Sequence, residues 1–333
     1  MPSPAKSGRT LILGHRGASA HLPENTLASY EAAIKEGADG IESDIHKSRD
    51  NRLLMFHDPT LDRTTNGTGR IRDQDWAGGM EHVRTKAEPV QPIPLFEELI
   101  ELLMRPENRH LVLNIDVKIF SVPDEIFPLM HDVISSYPSY ETELSPRLIL
   151  GLWHPLFIAP ANRYLPSLTK FHIGLSTHLA RKYFWDLDGF SIAMPMLTSQ
   201  DGQKFLRDCK AAGKGIMTWT VNDGQDMRVA RTWGIEWLIT DRVGFAVEAR
   251  KQWEEDPSVL QMGMLEQLRW SWSNWKHYSI PQAMFLRWFE DNLTKNAFKA
   301  GPLEASLIKP KEREETEAMM VDLDRAGEAM ARS

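Results

Sequence analysis

Gly40-Ile41-Glu42-Ser43-Asp44-Ile45 is a strand-forming stretch that carries two carboxylates two positions apart. Side chains alternate across a strand, so Glu42 and Asp44 project from one face. Working outward, similar apolar runs recur at residues 11–14, 111–116, 148–152, 171–175, 189–192, 215–220 and 237–240. Amphipathic helical segments separate them. Eight such runs alternating with helices predict a parallel α/β barrel. A doubly wound open sheet is the rival, although no glycine-rich dinucleotide turn follows the first run. If the face bearing Glu42 and Asp44 lines the barrel, both carboxylates reach the C-terminal mouth, where barrel enzymes keep their active sites.

Local signals agree with that rhythm. Asn25 or Thr26 can cap a helix over 27–36 that Gly37 ends, Pro123 can open a helix reaching Ser136, and a helix over 201–212 ends at Gly213. Two segments break the rhythm. Residues 59–94 are rich in Asp, Gly, Thr and Pro and read as an insertion over one mouth of the barrel. After residue 255 the alternation stops, leaving an aromatic-rich, partly helical extension at 256–300 and a charged tail at 301–333.

The 333-residue chain has 42% apolar and 26% charged residues, which suits a soluble globular protein with a sizeable core. Its net charge of −7 argues against nucleic-acid binding, because no basic stripe is available to neutralise phosphates. Cys209 is the sole cysteine, which excludes an intrachain disulfide and points to a reducing compartment. The polar first ten residues leave no room for a signal peptide, and no apolar run is long enough to span a bilayer. The expectation is an intracellular, cytoplasmic protein that is not secreted.

Chemistry concentrates at the ends of the runs. Asp116 ends its strand as Glu42 and Asp44 end theirs, and three hard oxygen donors suit Mg2+ or Ca2+ better than zinc. His15 and His57-Asp58 close two further runs. Imidazoles with near-neutral pKa can remove a proton from a nucleophile or deliver one to a departing alkoxide; which does which is open. Arg16 and Lys118 are candidates for holding a phosphate, with simple pairing to a neighbouring carboxylate as the competing reading. Trp219 and Trp153 can wall a pocket; ordinary core packing is the alternative. His46 shares the alternation of Glu42 and Asp44 and can approach the mouth without being a ligand.

Seven segments occur in a fixed order: His15-Arg16-Gly17, Pro23-Glu24-Asn25-Thr26, Glu42-x-Asp44, His57-Asp58, the stretch 61–69, Asn114-Ile115-Asp116-Val117-Lys118 and Trp219-Thr220-Val221-Asn222. Together they resemble the glycerophosphodiester phosphodiesterase family. The resemblance implies a TIM (β/α)8 barrel, with a small insertion after His57-Asp58 and, beyond the barrel, a C-terminal helical extension. It also implies a divalent cation on Glu42, Asp44 and Asp116, catalysis by His15, His57, Arg16 and Lys118, and substrate contacts from Arg16, Lys118, Trp219 and Glu24. Within the family, Gly151-Leu152-Trp153 and the long tail are most similar to fungal-type phosphatidylglycerol-specific phospholipases C. That likeness implies cleavage of phosphatidylglycerol to diacylglycerol and glycerol phosphate, with a headgroup hydroxyl attacking to give a cyclic phosphate that water can open.

The tail bears on the substrate. Trp270, Trp272, Trp275, Tyr278, Phe285, Trp288 and Phe289 are interleaved with Arg269, Lys276, His277 and Arg287, a composition suited to a lipid headgroup layer. Residues 259–298 are therefore expected to make peripheral membrane contact, against a simpler reading as a helical pair packed on the barrel. Two other functions compete: a soluble enzyme for deacylated glycerophosphodiesters, and a non-catalytic lipid-binding scaffold.

Overall fold

The structure is a computed structural model that describes residues 9–268 and residue 270. In chain order its elements are β1 (Leu11–His15), α1 (Leu27–Lys35), β2 (Gly40–Lys47), β3 (Leu53–Met55), α2 (Phe96–Met104), β4 (Val112–Val117), α3 (Pro123–Ser135), β5 (Leu148–Leu152) and α4 (Ile158–Tyr164). There follow β6 (Thr169–Gly174), α5 (Thr177–Tyr183), β7 (Gly189–Ala193), α6 (Met194–Leu197), α7 (Gln200–Ala211), β8 (Gly215–Trp219), α8 (Gly224–Thr232), β9 (Trp237–Thr240) and α9 (Val243–Glu255). Strands β1, β2 and β4 to β9 pair side by side in parallel, and β1 closes the ring by pairing with both β2 and β9. This is the expected TIM barrel. The short β3 is an addition: it pairs antiparallel with β2 outside the ring, and Leu-Leu-Met is too short to show a period.

The inner face explains why the barrel opens at one end only. Leu13, Val112, Ile149, Phe171, Met217 and Trp237 pack together inside its N-terminal half. A Cβ at Gly189 or Gly215 would lie 2.4 or 2.6 Å from the Phe171 ring, so glycine there makes room for the ring that fills the centre. The helices cover the outside with their apolar faces; α2, for example, buries Phe96, Leu99, Ile100, Leu102 and Leu103. Each such side chain contributes about 1.5–3 kcal/mol when fully buried.

Thr26 caps α1 in a capping box with Ser29, and Gly37, at φ +93°, follows its end. Asn25 does not cap. It adopts φ +54° and turns its amide toward β2, where it meets Asp44. Residues 59–94 contain short 3-10 turns and isolated bridges around a small core of Leu61, Ile71, Met80 and Ile93, which packs with Leu54 and Phe56. Of the aromatic extension, only 256–268 and Trp270 fall within the described residues. Trp270 donates to Asp226 at 2.6 Å and meets the Trp233 ring edge-on at 5.7 Å, both on or beside α8. Trp272, Trp275, Tyr278, Phe285, Trp288 and Phe289, and the tail 301–333, lie outside them. No helix among the described residues is long and apolar enough to cross a membrane.

Candidate active site

Register alone brings the carboxylates together. On the inner faces of β2 and β4, Glu42 pairs with Asn114 and Asp44 with Asp116. One oxygen from each of Glu42, Asp44 and Asp116 lies within 4.8 Å of the others, and all three residues are buried. Lys118, just past β4, places its Nζ 2.9 Å from both Asp44 Oδ1 and Asp116 Oδ2. Arg16 donates its backbone N–H to Glu42 at 3.1 Å and sets its Nε 3.5 Å from Asp44.

Supporting bonds fix the cluster. Asn25 donates to Asp44 Oδ2 at 2.9 Å while its own carbonyl accepts from Ser43 at 2.7 Å and Tyr30 at 3.3 Å. The Trp153 indole donates to Asp116 Oδ1 at 2.7 Å. Trp153 therefore holds a carboxylate as well as lining the cavity, where it meets Trp219 edge-on at 5.9 Å.

The electrostatics fit a divalent cation. Burial, reinforced by the neighbouring Asp44, pushes Glu42 up to about 7. Burial would likewise raise Asp44, yet Lys118, His57 and Arg16 outweigh it and hold that carboxyl below its ordinary range. Burial raises Asp116 in spite of Lys118. Two of the three carboxylates thus lack enough positive charge from the protein, which is the demand an Mg2+- or Ca2+-sized ion on hard oxygen donors would meet.

Each catalytic-candidate histidine leans on a carboxylate. His15 Nδ1 lies 2.7 Å from Asp241, and its Nε2 faces Glu42 at 4.0 Å. Asp241 also accepts from Ser19 at 2.8 Å and Asn222 at 2.6 Å. Burial and Arg16 oppose a charge on His15, but Asp241 and Glu42 outweigh them and raise its pKa. His57 Nδ1 lies 2.8 Å from Asp58, which Arg63 holds from the other side at 2.6 Å. His46 is no ligand: its Nε2 meets the His57 carbonyl at 3.0 Å, its ring stacks on Phe120, and burial lowers it to about 4.

All seven positions expected for catalysis and metal binding, together with Trp219, line one cavity at the barrel mouth. Glu24 stands behind them, bonding Arg16 at 3.1 Å and Arg63 at 2.6 and 3.0 Å. Arg63 belongs to the 59–94 excursion, so that segment is tied to Arg16 and, through Asp58, to His57. Burial would raise Glu24, but Arg16 and Arg63 outweigh it and hold it at about 2. A lowered carboxylate pKa stabilises the fold above its ordinary value of 4.5, and that contribution is lost as pH falls through about 2. Glu24→Gln should therefore cost about 1–3 kcal/mol at neutral pH and flatten the fall in Tm between pH 4.5 and 2. Thermal unfolding across that range checks it, and a parallel shift at every pH would contradict it.

Sequence reasoning missed Asp241, the Asp58–Arg63 link and the roles of Asn25 and Trp153. Only Asp241 carried a usable signal: it directly follows a barrel strand, so it had to emerge at the mouth.

Fold and site together define a class: a barrel hydrolase for an anionic ester, with hard oxygen donors, supported imidazoles and two cations in one cavity. The glycerophosphoryl diester phosphodiesterase family model matches residues 15–245. The chain belongs to that family, whose members are divalent-metal-dependent phosphoric diester hydrolases. A glycerophosphodiester phosphodiesterase of Bacillus subtilis is 49% identical over 252 residues, covering 70% of this chain and 84% of that one. One from Caldanaerobacter subterraneus is 27% identical over 242 residues, covering 70% and 94%. Among solved structures, an Oleispira antarctica phosphodiesterase in complex with the product sn-glycerol-3-phosphate shares the fold at TM-score 0.62 and 23% identity, over 74% of this chain and 99% of that one. A putative family member from Silicibacter pomeroyi does so at TM-score 0.64 and 16% identity, over 76% and 98%.

Proposed function

We propose that this enzyme hydrolyses deacylated glycerophosphodiesters to glycerol phosphate and an alcohol. The observation that carries the reading is the convergence of three carboxylates, two carboxylate-supported imidazoles, Arg16 and Lys118 in one narrow cavity. The substrates named for the relatives favour it over phosphatidylglycerol, the substrate that Gly151-Leu152-Trp153 and the tail suggested. Trp153 has another job here, as a donor to Asp116.

Glu42, Asp44 and Asp116 hold Mg2+ or Ca2+. When bound, the ion supplies Lewis-acid polarisation of the phosphate oxygens. Arg16, flanked by Glu24 and Asp44, presents a planar fork to a phosphate, and Lys118 adds a point charge as negative charge grows on phosphorus. With Nδ1 of each ring committed to a carboxylate, the Nε2 atoms of His15 and His57 serve as proton carriers. One takes a proton from the attacking hydroxyl, which is the glycerol unit's own or a water's, and the other protonates the departing alkoxide; a cyclic phosphate formed by the glycerol hydroxyl is then opened by water to glycerol phosphate. Trp219 walls the cavity beside the glycerol unit.

A second reading has one observation in its favour. Met264, Leu265 and Leu268 are 75%, 72% and 59% exposed, in a segment whose Glu266 and Trp270 bond Gln225, Arg228 and Asp226 of α8. The first turn of α8 follows the C-terminal end of β8, on the mouth side of the barrel. The segment's contacts run along α8 from Gln225 in that turn to Trp233 just past the helix end, and an exposed apolar segment beside the barrel suits a lipid surface and phosphatidylglycerol as substrate. Purified protein assayed on glycerophosphocholine, glycerophosphoglycerol and phosphatidylglycerol vesicles, with and without chelator, separates the two. Turnover of the two water-soluble diesters at least tenfold above the vesicular lipid is expected. The reverse order would install the phospholipase C reading, and activity on none of the three would leave a lipid-binding scaffold.

A further inference from the structure

Below the carboxylates the cavity has two polar side chains that the chemistry above does not use. Asn114 and Ser191 are 0% and 1% exposed, yet the Asn114 amide nitrogen and oxygen and the Ser191 hydroxyl have no hydrogen-bond partner among the described residues. Both line the cavity that holds the carboxylates and histidines. The register explains their depth. Asn114 faces inward two residues before Asp116 on β4, opposite Glu42, while Ser191 faces inward from β7, between Ile173 of β6 and Met217 of β8. Beneath them Leu13, Phe171 and Met217 close the barrel.

Three unpaired polar atoms in a barrel interior are destabilising, and aliphatic side chains of similar size would remove that cost. We propose that Asn114 and Ser191 form a hydroxyl-binding floor that receives the glycerol unit of the substrate. The inference rests on the glycerophosphodiester reading and adds the direction in which substrate enters. An amide and a hydroxyl both donate and accept, as an alcohol does, and neither bears a charge. They match a polyol better than a phosphate, which Arg16 and Lys118 serve higher up, and better than a quaternary ammonium, which can neither donate nor accept. The glycerol unit therefore points inward and the second alcohol points out through the mouth. Glycerol is selected while the outer alcohol, which meets no such floor, is free to vary.

The test uses the full-length, metal-loaded protein and measures equilibrium binding of sn-glycerol 3-phosphate against propyl phosphate. The two share charge and carbon count and differ by two hydroxyls. Wild type should prefer glycerol phosphate by at least about tenfold, the worth of two or three ordinary hydrogen bonds to a ligand. Ser191→Ala and Asn114→Leu should each cut that preference by about threefold or more, and the double variant should abolish it. Asn114→Leu should also keep or raise Tm, because it replaces an unpaired buried amide. A preference unchanged in both variants would mean that the floor holds only water, and the proposal falls. If Asn114→Leu does not fold, Ser191→Ala decides the matter in the same assay. Wild-type cleavage of glycerophosphocholine, run beside it, separates the two levels. Activity there with no preference for glycerol phosphate overturns the floor alone, and no activity overturns the function and the floor together.

Discussion

Asp44→Asn is expected to abolish turnover, by at least about 10³-fold, while leaving the fold intact. Asp44 is the member of the carboxylate cluster that Lys118, His57 and Arg16 hold ionised against burial, so it offers the firmest negative charge to a cation. The amide keeps the volume and can keep one bond to Lys118 through its oxygen. Its nitrogen must then face the Asn25 amide, which already donates to Asp44 Oδ2, or a cation. Glu42→Gln and Asp116→Asn should fall by comparable factors, and excess chelator should reproduce the loss in wild type. Isothermal titration with Mg2+ and Ca2+ checks the cause independently of turnover. Full activity in any of the three variants, or in chelator, would remove the cluster from the reaction, and unaltered metal affinity would remove it from the metal site.

The barrel was legible in the chain because its eight inner strands are near-continuous apolar runs, a pattern that burial on both faces demands. The metal candidates were legible for a related reason. Glu42, Asp44 and Asp116 interrupt such runs, and a carboxylate in a strand that is otherwise buried has few explanations besides a site. Support from outside the strands was harder to see. Asn25 sits where a helix cap belongs, and only its φ of +54°, which swings the side chain from α1 toward β2, shows that it serves Asp44. Arg63 lies in an aperiodic stretch whose path no local rule predicts, so its reach to Glu24 and Asp58 emerges only in three dimensions. Trp153 was visible as a pocket wall, but its bond to Asp116 depends on the β4–β5 register, in which Asp116 pairs with Gly151. A Cβ at Gly151 would lie 2.3 Å from Ile173 Cδ1, so the glycine beside Asp116 makes room for Ile173, which packs with the indole.

His15→Ala and His57→Ala should each lower kcat by at least about a hundredfold, the usual worth of a positioned proton carrier. The sharper experiment is on Asp241, a positioning residue that reaches the reaction only through His15. All three of its side-chain partners, His15, Ser19 and Asn222, can donate to it. The Asn222 amide cannot turn to compensate, because its carbonyl already accepts from Thr240 at 2.9 Å and from the Asp241 backbone at 2.9 Å. In Asp241→Asn the new NH2 must therefore confront a donor, or His15 must adopt the tautomer that carries its proton on Nε2. Either outcome spoils the ring's proton transfer, with an expected loss of about 10²–10⁴-fold in kcat. The sign of the pH effect follows from the same contacts. Asp241 is the strongest of the groups that raise His15 against burial and Arg16, so without its charge the His15 pKa drops. Whichever limb of the kcat/KM profile His15 governs should move to lower pH: the acid limb if it is the base, the alkaline limb if it is the acid. The limb that moves assigns the role that sequence and geometry leave open between His15 and His57. A uniform loss of rate with neither limb displaced would show that Asp241 only stabilises the mouth of the barrel.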